Sequence, residues 1–201
     1  MQRYLLICAF AGLWLSACNQ DSQPRAKRGN ADSVGKDPGS QGDAHAKLDD
    51  SGGDVRLESL TLTAPKGWSR NKPQSSFIQA EYVLPRADGD SRDGRLTLSV
   101  AGGSIEDNIA RWKGQFGKSP DKSHQEKIEV NGLAITLVDI SGEFNDQAGP
   151  FAPGEKRAGY RMIGAIIPVG AQLHFVKAVG PGKTMEAHAE KINIFIRSTR
   201  K

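Results

Sequence analysis

Cysteine is nearly missing from this chain: two occur in 201 residues, Cys8 and Cys18, too few for a disulfide-stapled scaffold. Histidine is equally sparse, with four residues (His45, His124, His174, His188) and no His-x-x-x-His or Cys-x-x-Cys spacing, so no metal is expected. No serine sits in a Gly-x-Ser-x-Gly elbow, and no cofactor fingerprint occurs. Aromatics make up 6% of the chain, and no basic stripe is interleaved with them. A nucleic-acid partner is therefore not expected. Nor is there an apolar run near the roughly 20 residues that a membrane-crossing helix needs.

What is present begins at the N-terminus. Met1-Gln2-Arg3 precedes a run from Tyr4 to Leu15 of apolar and small residues, followed by small residues up to Cys18. That order of charge, apolar run and small residues is the pattern of a secretory signal over residues 1–17. Leu15-Ser16-Ala17-Cys18 resembles the lipobox of bacterial lipoproteins. The resemblance implies that Cys18 carries acyl chains after cleavage, with membrane lipid as its partner. One chain holds only marginally, at about 0.8 kcal/mol per buried methylene, whereas two or three make a lasting anchor. Cys8 would leave with the signal and Cys18 would be alkylated, which removes every free thiol. The residue after the cysteine is Asn19 rather than Asp, and by the same resemblance this favours an outer membrane, with the domain facing the periplasm.

Residues 18–54 form the lipidated cysteine and a linker. Positions 19–54 hold one Leu, one Val, no aromatic residue, five Lys or Arg and seven Asp. Such a composition buries too little apolar surface to offset chain entropy. As a flexible coil it would span about 30–35 Å on average and about 120 Å when stretched.

Residues 55–201 have the composition of one globular domain, with 21 Lys or Arg against 16 Asp or Glu. Leu57, Leu60 and Leu62 alternate ahead of the turn Pro65-Lys66-Gly67-Trp68. Ile78, Ala80, Tyr82 and Leu84 alternate again, as do Leu96, Leu98 and Val100, and the loop around Asp88-Gly89-Asp90 predicts a hairpin between these two runs. A helix is expected over Ser104–Phe116, capped by Ser104 and burying Ile105, Ile109, Trp112 and Phe116. Lys127–Val130 and Leu133–Ile140 flank Asn131-Gly132, a pair suited to a type I′ turn. Further strands are expected at Tyr160–Ile167 and Gln172–Val179, and a last helix from Lys183 or Thr184 to Ser198. The fold class is therefore α+β, a central antiparallel sheet of about six to seven strands flanked by helices.

The Pro65-x-Gly67-Trp68 turn, the helix bearing Trp112 and the Gly180-Pro181 step before the last helix resemble PsbP-like proteins, which share an α/β/α sandwich. The chain also resembles an uncharacterised group of bacterial lipoproteins. Known roles in the PsbP-like fold are mainly the binding of other macromolecules, so the resemblance implies a non-catalytic binding or assembly module, with an envelope protein as partner.

The candidate binding surface is the stretch Ser141–Gly159, rich in Gly and Pro and expected to be a long loop. Phe144 and Phe151 sit in it near Lys156 and Arg157, apolar rings rimmed by cations. Both rings tucked under the sheet edge is the other reading. The enzymatic alternative is a cell-envelope hydrolase that uses acids of the 139–158 region, such as Asp139 and Glu143.

Overall fold

The computed structural model describes residues 52–73, 75–117, 120–147 and 153–201. The signal, Cys18, most of the linker and Phe151 lie outside them.

Alternation of apolar and polar residues sets the strands. A first hairpin pairs β1 (Gly53–Leu57) with β2 (Leu60–Ala64). Val55, Leu57, Leu60, Leu62 and Ala64 are buried, while the residues between them are exposed or half-buried. The main sheet has seven antiparallel strands in the order β3-β4-β5-β9-β8-β7-β6. They are β3 (Ser69–Asn71), β4 (Ile78–Leu84), β5 (Gly94–Ala101), β6 (Lys122–Val130), β7 (Leu133–Asp146), β8 (Glu155–Val169) and β9 (Gln172–Pro181). Two meanders are thus joined edge to edge, β3-β4-β5 and β6-β7-β8-β9, with α1 (Ile105–Gly114) in the connection and α2 (Gly182–Arg197) at the end.

Strand alternation divides the core in two. Ile135, Leu137, Ile163, Ala165, Val176 and Ala178 pack with Met185, Ile192, Phe195 and Ile196 of α2 and with the β1–β2 hairpin. The interleaved Val138, Ile140, Met162, Ile166 and Phe175 pack with Ile109, Trp112 and Phe116 of the α1 segment. Trp112 reaches the sheet because Gly164 leaves room for it. A Cβ at Gly164 would lie 2.6 Å from the indole Cζ3. Gly164→Ala is expected to lower unfolding stability by about 1–3 kcal/mol, the usual cost of overpacking a core. Urea denaturation measures it, and a change below about 0.5 kcal/mol would mean that the indole is not confined.

Helix ends follow the expected chemistry at α1 and depart from it at α2. Ser104 accepts from the Asp107 N–H at 3.0 Å, an ordinary N-cap. α2 begins after Pro181 with no side-chain cap of its own. Asp90, in the β4–β5 loop, supplies one from a distance: its Oδ2 accepts from both the backbone N–H and the hydroxyl of Thr184 at 2.7 Å.

Two expectations are corrected and one element is added. Ser141–Gly159 is not a long loop: β7 runs to Asp146 and β8 starts at Glu155, so most of it is paired strand. The ladder shifts register between Gly142 and Phe144, where β8 carries one extra residue next to Gly159 at φ +69°. Strand β6 begins at Lys122, five residues before the expected Lys127, and carries His124 within the ladder. A short strand, β3, exists where Ser-Arg-Asn gave no apolar alternation.

Candidate functional site

The face of the sheet that packs against α1 is covered only in part. α1 sits over Val138, Ile140, Met162, Ile166 and Phe175, contributed by β7, β8 and β9. Towards β4 and β5 the same face turns polar, because Glu81, Arg95, Thr97 and Lys177 take the positions that alternate with the buried Tyr82, Leu96, Leu98, Val176 and Ala178. A cleft of about 620 Å³ opens there. That volume lies in the ordinary range of small-molecule sites.

Its floor is Lys177, half-buried in the middle of the apolar strand β9. The ammonium donates to Gln115 Oε1 at 2.5 Å and stands 5.8 Å from the centroid of the Phe144 ring. Gln115 is held in turn, since its carbonyl accepts from the Asn145 N–H at 2.7 Å and ties the end of α1 to β7. Removal from water pushes the Lys177 ammonium down to about 8, helped by the nearby positive charges of Arg111 and Arg95.

Cations dominate the walls. Arg86, Arg92 and Arg95 line the cleft with Lys177, against Asp93 and Asp146. The two acids are already engaged. Asp146 pairs with Arg157 at 2.9 Å, and Asp93 accepts from the Arg86 backbone N–H at 2.9 Å. Arg95 pairs with Glu81 at 2.7 Å. Apolar lining comes from Phe144, Tyr160, Val179 and Ile78. Phe144 and Tyr160 stack almost parallel, 2° apart with centroids at 5.9 Å, and Arg157 lies 6.0 Å over the Tyr160 ring.

The residues expected to form a loop-borne surface are placed differently. Of the two readings of Phe144, the tucked ring is the one found: it is 5% exposed, packed between Phe116 and Tyr160, and lines the cleft. Its burial follows from pairing, because Phe144 faces Arg157 across the β7–β8 ladder with its side chain towards the second core. Arg157 is bound to Asp146 and Glu155 beside the cleft, and Lys156 is exposed and pairs with Glu143 at 2.9 Å. Phe151 lies outside the described residues.

The acids weighed for hydrolysis are also engaged. Both oxygens of Asp139 accept from Arg161, at 2.9 and 2.6 Å, and Arg161 reaches Glu186 as well. His188 is a buried structural residue. An indole N–H can only donate, so His188 Nδ1 accepts from Trp68 Nε1 at 3.0 Å and Nε2 donates to the Pro85 carbonyl at 2.9 Å.

Lys177 carried a signal in the sequence. It is the single charge in Leu173-His174-Phe175-Val176-Lys177-Ala178-Val179, where solvation of a surface strand does not explain it. Arg86, Arg95 and Gln115 carried none, since each reads as an ordinary exposed residue until the sheet brings them together.

No family model matches the chain, and no curated protein matches it. Among solved structures, cyanobacterial PsbP from Synechocystis sp. PCC 6803 is similar over 81% of this chain and 98% of its own, at 9% identity and a TM-score of 0.47. A Pseudomonas aeruginosa protein of unknown function is similar over 73% of this chain and 94% of its own, at 18% identity and a TM-score of 0.43.

Proposed function

We propose that the chain is a lipoprotein, anchored through acylated Cys18, whose α+β domain is a non-catalytic binding module of the cell envelope. The observation that carries the binding half is the cleft over Lys177, a concave site with convergent polar groups and an apolar wall. Asp139 and Glu143 are held by cations, which is why binding rather than hydrolysis is proposed. The PsbP-like sandwich, with a helix layer on each side of the sheet, belongs to the same proposal. It is supported by Gly67-Trp68 in the turn before β3, Trp112 on the buried face of α1 and Gly180-Pro181 at the step from β9 into α2.

The anchoring half rests on the order of residues 1–18 and on Asn19, which favours the outer membrane and a domain facing the periplasm. Cys18→Ala is expected to accumulate as an uncut precursor without acyl label in cells fed a labelled fatty acid. A processed and labelled Cys18→Ala protein would refute the anchor.

Binding is tested with a photo-crosslinking residue placed at Arg92, on the cleft, and separately at Glu129 on β6, at the other edge of the sheet. A recurrent adduct at position 92 and not at 129 is expected. Equal labelling at both would remove the cleft from the proposal.

A further inference from the structure

Lysine is rarely buried without a partner of opposite charge, because desolvating an ammonium costs several kcal/mol that only a counter-charge or dense hydrogen bonding offsets. Lys177, half-buried in the sheet, feels Asp146 only through space and makes no ion pair among the described residues. Its one hydrogen-bond acceptor among the described residues is the neutral amide of Gln115, and the nearest ring is Phe144. Around it the positive side is in surplus. Arg92 makes no ion pair among the described residues, and Arg86 spends one guanidinium N–H on the Ser91 carbonyl at 3.4 Å. Arg95 is 49% exposed even while paired with Glu81. Asp93 and Asp146 offset only part of this, two carboxylates against the four cations Arg86, Arg92, Arg95 and Lys177 of the lining. The cleft is a cationic pocket whose floor holds an ammonium with no carboxylate in contact.

The second feature is the stacked pair Phe144–Tyr160 beside that charge, with Val179 and Ile78 completing an apolar wall. A bare inorganic ion would leave this wall empty. A ligand with a flat apolar body and one oxyanion end would fill both halves.

Resting on the binding reading above, we infer that the cleft is a site for an organic oxyanion, a carboxylate or phosphate on an aromatic or similarly flat apolar body. Its oxyanion end sits on Lys177 and Arg95, and its body lies against Phe144 and Tyr160. The chemistry admits a soluble metabolite or the headgroup of an anionic lipid, and the experiment separates these sources. Occupancy has a direct consequence for the lysine: a bound oxyanion stabilises the ammonium, so affinity falls once the pH rises past the point near 8 where the empty site loses its proton.

The experiment titrates the full chain in neutral detergent, by calorimetry and by amide NMR shifts, with four probes: phenyl phosphate, benzoate, benzyl alcohol and inorganic phosphate. Phenyl phosphate and benzoate are expected to bind, and to weaken tenfold or more in Lys177→Met and on moving from pH 7 to pH 9.5. Benzyl alcohol is expected not to bind, and inorganic phosphate to bind at least tenfold more weakly than phenyl phosphate. Arg95→Gln provides a second variant with the same expected direction. Vesicles containing phosphatidylglycerol, compared with neutral vesicles, identify the source: Lys177-dependent competition by the anionic vesicles alone points to a lipid headgroup, and its absence to a soluble ligand. The inference is overturned if neither aromatic anion binds, or if both bind equally well to Lys177→Met. Should that occur while crosslinking at position 92 still captures one recurrent partner, the binding module stands and only the ligand class is lost.

Discussion

Trp68→Ala is expected to lower the stability of the domain by about 3–5 kcal/mol through lost packing and the cavity left behind. Trp68 is 1% exposed at the join of three elements. Its ring lies 5.7 Å from Phe195, 6.3 Å from Tyr82 and 6.1 Å from His188, so one side chain fastens β4 and α2 to the turn that begins β3. The substitution also strips His188 Nδ1 of the donor it has among the described residues, and an orphaned buried acceptor adds about 1–3 kcal/mol. Domains of ordinary stability hold about 5–15 kcal/mol, so the variant would stand at the margin of folding. Trp68→Phe separates the two contributions, because it keeps most of the packing and loses only the N–H. Urea unfolding followed by circular dichroism measures both variants. A loss under about 1 kcal/mol for the alanine variant would show that the aromatic cluster is not where the domain is held together.

The opposite sign is expected at the cleft. Lys177 gives up its proton near pH 8 in the folded chain but only near 10.5 when unfolded. Below about 8 both states are charged, and the folded state bears the whole cost of holding an ammonium away from water. Between 8 and 10.5 the unfolded chain binds more protons than the folded one, so stability rises with pH across that window. At about 1.4 kcal/mol for each pKa unit the fall from 10.5 to 8 corresponds to roughly 3–4 kcal/mol, and the partial exposure of Lys177 reduces what the fold bears. Lys177→Met keeps the apolar stem and removes the charge. It is therefore expected to be more stable than the parent by about 1–3 kcal/mol at pH 7, with the advantage shrinking towards pH 9.5. The difference between the two proteins is the quantity to follow. Burial raises the Tyr82 phenol, which makes its own contribution at higher pH in both. If the parent matched or exceeded the methionine variant at pH 7, the ammonium would not be desolvated.

Much of the fold was legible because local chemistry and tertiary packing agree along most of the chain. Ser104 ahead of Glu106 and Asp107, the spacing of Ile109, Trp112 and Phe116, and the Asn131-Gly132 turn each act within a few residues. What escaped depends on distant partners. β3 is polar and takes its conformation from pairing with β4. Ser141–Asp146 reads as loop by its glycine and acids, yet the ladder with β8 carries it across a bulge. The cap of α2 comes from Asp90 rather than from any residue next to it. The cleft was the least visible feature, since it exists only where strands β5 and β9, far apart in the chain, become neighbours.

That neighbourhood has a consequence for how the molecule comes into being. β9 is the last strand in sequence and the fourth of seven in space. Until residues 172–181 are available, β3-β4-β5 and β6-β7-β8 are two separate ribbons, each with an open edge where β9 will insert. Closing the sheet joins segments far apart in sequence, the topology that makes folding slow. The final strand acts as a keystone, and the two ribbons become one sheet only when it is in place.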